Sequence, residues 1–218
     1  FMVGGTVRAS DLFDGMFDNR RTIRGSGDMA TENRDVKSFT RVEVSMGVDV
    51  VITVGSPQQV KLTFDDNIIS KVRTRVRGNT LEIDSRHSFS TNDDCRIEIV
   101  VPAIEAFSLA GSGDIEIHGV NGDEFEIDVS GSGDIKVDGH TTLLTIDVAG
   151  SGDIDARQLI AEEAEVDVAG SGSVKVHATK SLNADIAGSG GGLGDGTQIG
   201  ANQGIVGQPQ GAVFHPPP

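Results

Sequence analysis

The chain has 218 residues, 37% of them hydrophobic, with 29 glycines, nine phenylalanines and neither tryptophan nor tyrosine. Its net charge of −15 argues against nucleic acid as a partner, because phosphate backbones call for cationic surfaces. A single cysteine, Cys95, rules out an intramolecular disulfide and a cysteine zinc cluster, and no stretch reaches the ~20 apolar residues of a membrane helix.

Residues 1–24 are weakly patterned. Leu12, Phe13, Met16 and Phe17 have the spacing of one or two helical turns, which Asp11 could cap, and a mobile leader is the other reading. From Val36 the pattern becomes β. Phe39, Val42 and Val44 start an alternating run, and Val48, Val50, Ile52 and Val54 continue it before the turn residues Gly55, Ser56 and Pro57. Val60, Leu62 and Phe64 form the next strand, ended by Asp65, Asp66 and Asn67. Residues 68–72 predict a short helical turn or an irregular link. Strands at 72–76 and 81–84 are predicted to join through Arg77-Gly78-Asn79, because Gly and Asn tolerate the positive φ of a tight hairpin. Residues 85–94 are polar and predict a loop. Cys95 then reads as a small hydrophobe at a strand start. Ile97, Ile99 and Val101 alternate until Pro102 stops the ladder.

Beyond Pro102 a repeat takes over. Gly-Ser-Gly-Asp stands at 111–114, 131–134 and 150–153, with an upstream copy at 25–28 and degenerate copies at 170–173 and 188–191. The downstream copies recur about every 20 residues, the mark of a repeat architecture. An alternating strand runs into each copy and another follows it, so each unit reads strand, glycine corner, strand, variable turn. One such unit is too short to close a core, but stacked units can. Stacking predicts internal columns of Phe125 and Leu144, of Ile127, Ile146 and Val166, and of Ile115, Ile135, Ile154 and Val174. The predicted fold is all-β, a right-handed parallel β-helix or solenoid with coils of about 20 residues, its hand following from the preference of parallel crossovers. Residues 1–35 are read as leader and first turn, 36–192 as the β-helical domain, and 193–218 as an irregular Gly/Gln/Pro-rich tail.

Gly-Ser-Gly-Asp is first a corner device, with glycines for the φ values and Ser and Asp oxygens for turn amides. A cation site is the functional alternative. Asp114, Asp134 and Asp153 form one predicted carboxylate column, broken by Ser173, and Asp128, Asp147, Asp167 and Asp185 form a second. Calcium could relieve their repulsion, yet the interval is not that of the nine-residue calcium repeat. Arg86, His87, Asp93 and Asp94 make the one polar cluster outside the repeats, read as a solvated loop. His118, His140 and His177 recur near strand ends but are offset within their units, so they read as surface residues. Neither a nucleophile elbow nor a phosphate or dinucleotide fingerprint is present.

Taken in order, Gly25-Ser-Gly-Asp28, Thr31-Glu-Asn-Arg-Asp-Val-Lys-Ser-Phe39, Val48-Asp-Val-Val-Ile52, Asp65-Asp-Asn-Ile68, Leu81-Glu-Ile83, Ile97-Glu-Ile-Val-Val-Pro102 and the serial Gly-Ser-Gly-Asp-Ile resemble the bacterial head GIN domain family of putative auto-transporter adhesins. The resemblance covers about residues 25–190 and implies an extracytoplasmic, pectin-lyase-like right-handed β-helix with a role in adhesion and no recognised catalytic residues. It supplies no functional residue to carry over. The chain departs from the family pattern after Gly188, where a further strand and Gly-Ser-Gly unit are expected. The expectation is a non-catalytic, extracytoplasmic binding or adhesion module for a surface glycan or protein, with no cofactor, no nucleic acid and no membrane span. No catalytic, cofactor-binding or metal residue is assigned. Exposed edges at the ends of the stack invite self-association into a homo-oligomer. A carbohydrate-active enzyme and a calcium-stabilised structural solenoid are the alternatives on the same scaffold.

Overall fold

The alternating runs become strands wherever neighbours can bury their apolar sides. A computed structural model describes residues 22–91, 95–188 and 191–195. The first half holds β1 (Ile23–Arg24), β2 (Met29–Asn33), β3 (Arg41–Ser45), β4 (Asp49–Val54), β5 (Gln59–Asp65), the one-turn helix α1 (Asp66–Ile69), β6 (Val72–Arg77), β7 (Thr80–Ser85), β8 (Phe89–Ser90) and β9 (Arg96–Val101). The repeats supply β10 (Ala106–Gly111), β11 (Asp114–Gly131), β12 (Asp134–Gly150), β13 (Ile154–Gly170), β14 (Ser173–Gly188) and β15 (Gly191–Asp195). The described residues are all-β apart from that single turn.

Among the described residues a 13-stranded sheet holds every strand except the β1–β8 pair. Its main path runs β15-β14-β13-β12-β11-β10-β3-β7-β6. The repeats pair in parallel and in register, so Ile127 lies beside Ile146 and Val166, and Ile115 beside Ile135, Ile154 and Val174. Phe125 pairs with Leu144, as their spacing predicts. β11 is long enough to pair twice with the first half: its start lies on β4 and its end on β10. Two flanks result, one running β10-β3-β7-β6 and the other β4-β9-β5-β2. Ile127, Ile146 and Ile52 are fully buried, and each such side chain contributes roughly 1.5–3 kcal/mol relative to exposure.

Several elements differ from their sequence reading. Each repeat breaks only at its glycine corner, and the predicted variable turn is a register shift inside one continuous strand, as between Ile117 and Val120. A bulge bends the chain while leaving its amides paired on both sides. Pairing begins inside the predicted leader, where β2 runs antiparallel to β5, and β15 carries it past the boundary expected at 192. The predicted loop 85–94 contains β8, because its one large apolar residue, Phe89, packs edge-on against Phe64 with ring centroids 6.1 Å apart. The helical reading of 11–17, Asp93 and Asp94, and the tail from 196 lie outside the described residues. The 72–84 hairpin forms as expected, with Gly78 at φ +58°.

Candidate functional site

The Gly-Ser-Gly corners set the geometry of everything around them. Gly150 has φ +145°, and a Cβ there would run into the carbonyl oxygen of Gly131 in the preceding repeat. Ser132, Ser151 and Ser171 donate their backbone N–H groups to Gly111, Gly131 and Gly150, so corner stacks on corner. The corner aspartates serve the same end. Asp49 Oδ1 accepts the N–H of Asp114 at 2.9 Å, and Asp153 Oδ1 accepts the N–H and hydroxyl of Ser173 at 2.9 and 2.7 Å. Those bonds from Ser173 hold the Asp153 carboxyl below its ordinary range. Ser173, which breaks the column of carboxylates, continues the corner stack as a donor.

The upstream copy at 25–28 is not part of this stack. It closes over the start of α1, with Gly27 N–H on Asp65 Oδ1 at 2.8 Å and the Ser26 hydroxyl on Asp66 Oδ1 at 2.6 Å. A Cβ at Gly25 would strike the buried Asp65 carboxylate. A hydrogen bond from Thr91 and the Gly27 amide keep that carboxyl below its usual range despite burial.

Two polar faces flank the corner. On the strands entering it, Asp128, Asp147, Asp167 and Asp185 stand in one register row. Neighbours in such a row are ~4.8 Å apart. Ser108 holds the preceding place and donates its hydroxyl to Asp128 at 3.1 Å. Beside the carboxylates runs a row of small side chains, Ser130, Ala149, Ala169 and Ala187. Tall acids beside a low shelf leave an open trough of about 540 Å³. Burial, then the charges of Asp128, Asp167 and Glu126, push the Asp147 carboxyl up.

On the strands leaving the corner the charges alternate. Glu116 pairs with Lys136, Lys136 with Asp155 and Asp155 with Lys175. A more enclosed hollow of about 400 Å³ opens there, lined by Glu116, His118, Lys136, Asp138, Asp155, Arg157 and Gln158. His118 Nδ1 lies 2.7 Å from Asp138 Oδ2, whose partner oxygen accepts Gly119 N–H at 2.7 Å. The Asp138 bond, outweighing burial, raises the His118 pKa. Arg157 Nε donates to Asp155 at 2.8 Å and holds that carboxyl down at about 2.

The other predicted polar residues do not converge. His140 and His177 share a register column on either side of Ile160, away from His118. His87 turns back on Ser85, its N–H and carbonyl both bonded to that hydroxyl, and Arg86 is exposed. Among the described residues no three His, Cys, Asp or Glu side chains converge as metal ligands. Sequence reading found the acidic row but passed over the hollow. Its signal was the alternation of sign at the outward position after each corner: Glu116, Lys136, Asp155, Lys175.

The sequence matches the family described as putative auto-transporter adhesin, head GIN domain, over residues 38–191. The chain belongs to that family. The matched head GIN region takes in both faces and all the stacked corners. A putative adhesin of Bacteroides fragilis is similar to this head GIN chain at 23% identity, covering 80% of this chain and 92% of its own, with a TM-score of 0.66. A putative adhesin of Parabacteroides merdae is similar at 16% identity, covering 87% and 97%, with a TM-score of 0.56. At these identities the likeness establishes a shared fold. No functionally curated protein matches the head GIN chain.

Proposed function

We propose that this chain is a non-catalytic, extracytoplasmic adhesion module that grips a surface glycan along its acidic face. Its scaffold in this reading is a right-handed parallel β-helix with coils of about 20 residues, the arrangement that parallel pairing at a constant offset supports. The observation that carries the reading is the unbroken row Asp128, Asp147, Asp167 and Asp185 beside a shelf of small side chains. Carboxylates accept hydrogen bonds from sugar hydroxyls, and an alanine floor receives the C–H face of a ring. The repeat of the row offers the same contact to successive units of a polymer, which multiplies weak single-site binding. With a net charge of −15 the module selects against polyanions, so neutral or amino-sugar polymers are the expected class.

The test is a broad glycan array run with calcium and again with chelator. Binding to neutral or amino glycans in both conditions, weakened in an Asp147→Asn/Asp167→Asn variant, supports the reading. Binding lost with chelator turns the acidic row into a cation site, the calcium-stabilised alternative. A blank array in both conditions removes carbohydrate and leaves a protein ligand. The hollow around His118 and Asp138 favours a second reading, a carbohydrate-active enzyme, since it gathers Glu116, Asp138 and Asp155 around one concavity. Release of reducing ends from a bound polymer, abolished by Asp138→Asn, would establish that reading over adhesion.

A further inference from the structure

The acidic row does not begin with an acid. Followed through the registers, it runs from Arg75 through Glu82, Glu43 and Ser108 to Asp128 and onward, and ends at Asp185. Arg75 lies on β6, at one end of the 13-stranded sheet. Asp185 lies on β14, whose outer edge over residues 182–188 has no strand partner among the described residues, since β15 covers only Ser173–His177. One row thus ends in a cation at one pole and an anion at the other.

Among the described residues the core is partly open at the same two places. Ala184 and Ile186 are half-buried, whereas Val166 and Val168 beside them in β13 are buried. At the other pole Val76 is half-buried, and its neighbour Leu81 is not exposed at all. Val76 shares a register column with Ala184, and Thr74 with Ile186. Arg75 Nη2 bonds both Glu82 at 3.2 Å and Asp84 at 2.9 Å, and the side chain stays 40% exposed at the sheet edge.

We propose that β6 of one molecule receives the 182–188 edge of β14 of a second copy, head to tail, with Arg75 set against Asp185 and the two half-open cores closed on each other. Charge selects this orientation. A β6–β6 contact would bring together Arg73, Arg75 and Arg77 from two copies, and a tail-to-tail contact would bring together two acidic rows. Charged edge residues normally guard a sheet against pairing, and this guard yields only to an edge of opposite sign. The contact is heterologous, so it propagates instead of stopping at a dimer unless the rotation closes a ring. The contact takes up Asp185, the last member of the acidic row, and leaves Asp128, Asp147 and Asp167 open.

Sedimentation equilibrium of the full chain at low salt tests this. The wild type is expected to exceed its 22.8 kDa monomer mass increasingly with concentration. Asp185→Arg, at an exposed end position, and Arg75→Glu are each expected to weaken association by about tenfold or more through like-charge contact. Mixing the two variants restores assembly, because Arg75 of the first then meets Asp185 of the second. If Arg75→Glu fails to fold, Asp185→Arg still decides. A wild type that stays monomeric throughout overturns the proposal, including the case where removing residues 196–218 then unleashes assembly and shows that the chain covers its own edge. Assembly unaffected by Asp185→Arg overturns it equally.

Discussion

The two faces beside the corner share one backbone spacing and opposite charge logic. On the exit face Glu116, Lys136, Asp155 and Lys175 alternate, so each side chain has an opposite charge on the next strand. On the entry face Asp128, Asp147, Asp167 and Asp185 repeat, and burial together with the neighbouring charges makes Asp147 resist ionisation. The row does not call for an acid at every place, since Ser108 occupies it beside Asp128. The exit face therefore reads as stabilised surface and the entry face as surface held at some cost to stability. That contrast is why the adhesive contact is placed on the second.

The largest effect expected is one that removes both faces together. Gly150→Ala places a methyl group against the Gly131 carbonyl at a φ of +145°. It should cost about 3 kcal/mol or prevent folding, read by urea denaturation. A loss under ~1 kcal/mol would mean that the corner yields, and that the faces are not tied to it as described.

The contrast itself is tested by reversing one charge on each face. Asp147→Lys puts a cation between Asp128 and Asp167 and should stabilise by about 0.5–1 kcal/mol. Lys136→Glu puts an anion between Glu116 and Asp155 and should destabilise by about the same. Urea midpoints at low ionic strength should move in opposite directions and converge as salt is raised. Movement in one direction for both variants would erase the distinction between the faces. Asp147→Lys should also abolish glycan binding while leaving the protein more stable, which separates contact from fold.

Much of this was legible in advance, for identifiable reasons. Alternation and a near-constant period placed Ile127, Ile146 and Val166 in one column, because register on a half-buried sheet follows from which residues must face inward. The Asp128 to Asp185 row came from the same arithmetic. The upstream Gly-Ser-Gly-Asp copy stands outside that period, and the same residues at 25–28 close on Asp65 and Asp66. Local sequence specifies a sharp turn, but its partner depends on tertiary position. β2 was hidden because Met29–Asn33 is short, polar and at an edge. The Arg75 to Asp185 relation was out of reach of the sequence, because β6 runs antiparallel and no period links it to the repeats.

A smaller effect concerns acid. Asp155 is held at about 2 by Arg157, so its contribution is present above the ordinary carboxylate pKa and is lost as pH falls from there toward about 2. Asp147 behaves in the opposite way. Its raised pKa means that the folded chain takes up a proton before the unfolded one does, so acidification relieves the entry face. Both groups are partly exposed, and each effect should be about 0.5 kcal/mol or less after screening. Arg157→Ala should therefore reduce the loss in stability on going from neutral pH to about 4, and Asp147→Asn should enlarge it. Chemical denaturation across that range reads both, and the same slope in both variants would show that neither face titrates independently.

The smallest and sharpest test lies near neutrality, where carboxylates are silent. His118 has a raised pKa from its bond to Asp138, with a further contribution from Glu116 at 3.5 Å. Its stabilisation is complete below the ordinary histidine value and disappears as pH rises through the higher folded value. The ring is 44% exposed, so the loss should be only a few tenths of a kcal/mol. An NMR titration resolves it directly. Asp138→Asn should bring the His118 titration back toward the ordinary value, because it removes the larger of the two anionic partners. Asp147→Asn, on the other face, should leave it unmoved. If the His118 titration instead follows Asp147, the two faces are electrostatically one surface and the acidic row is not a separate site.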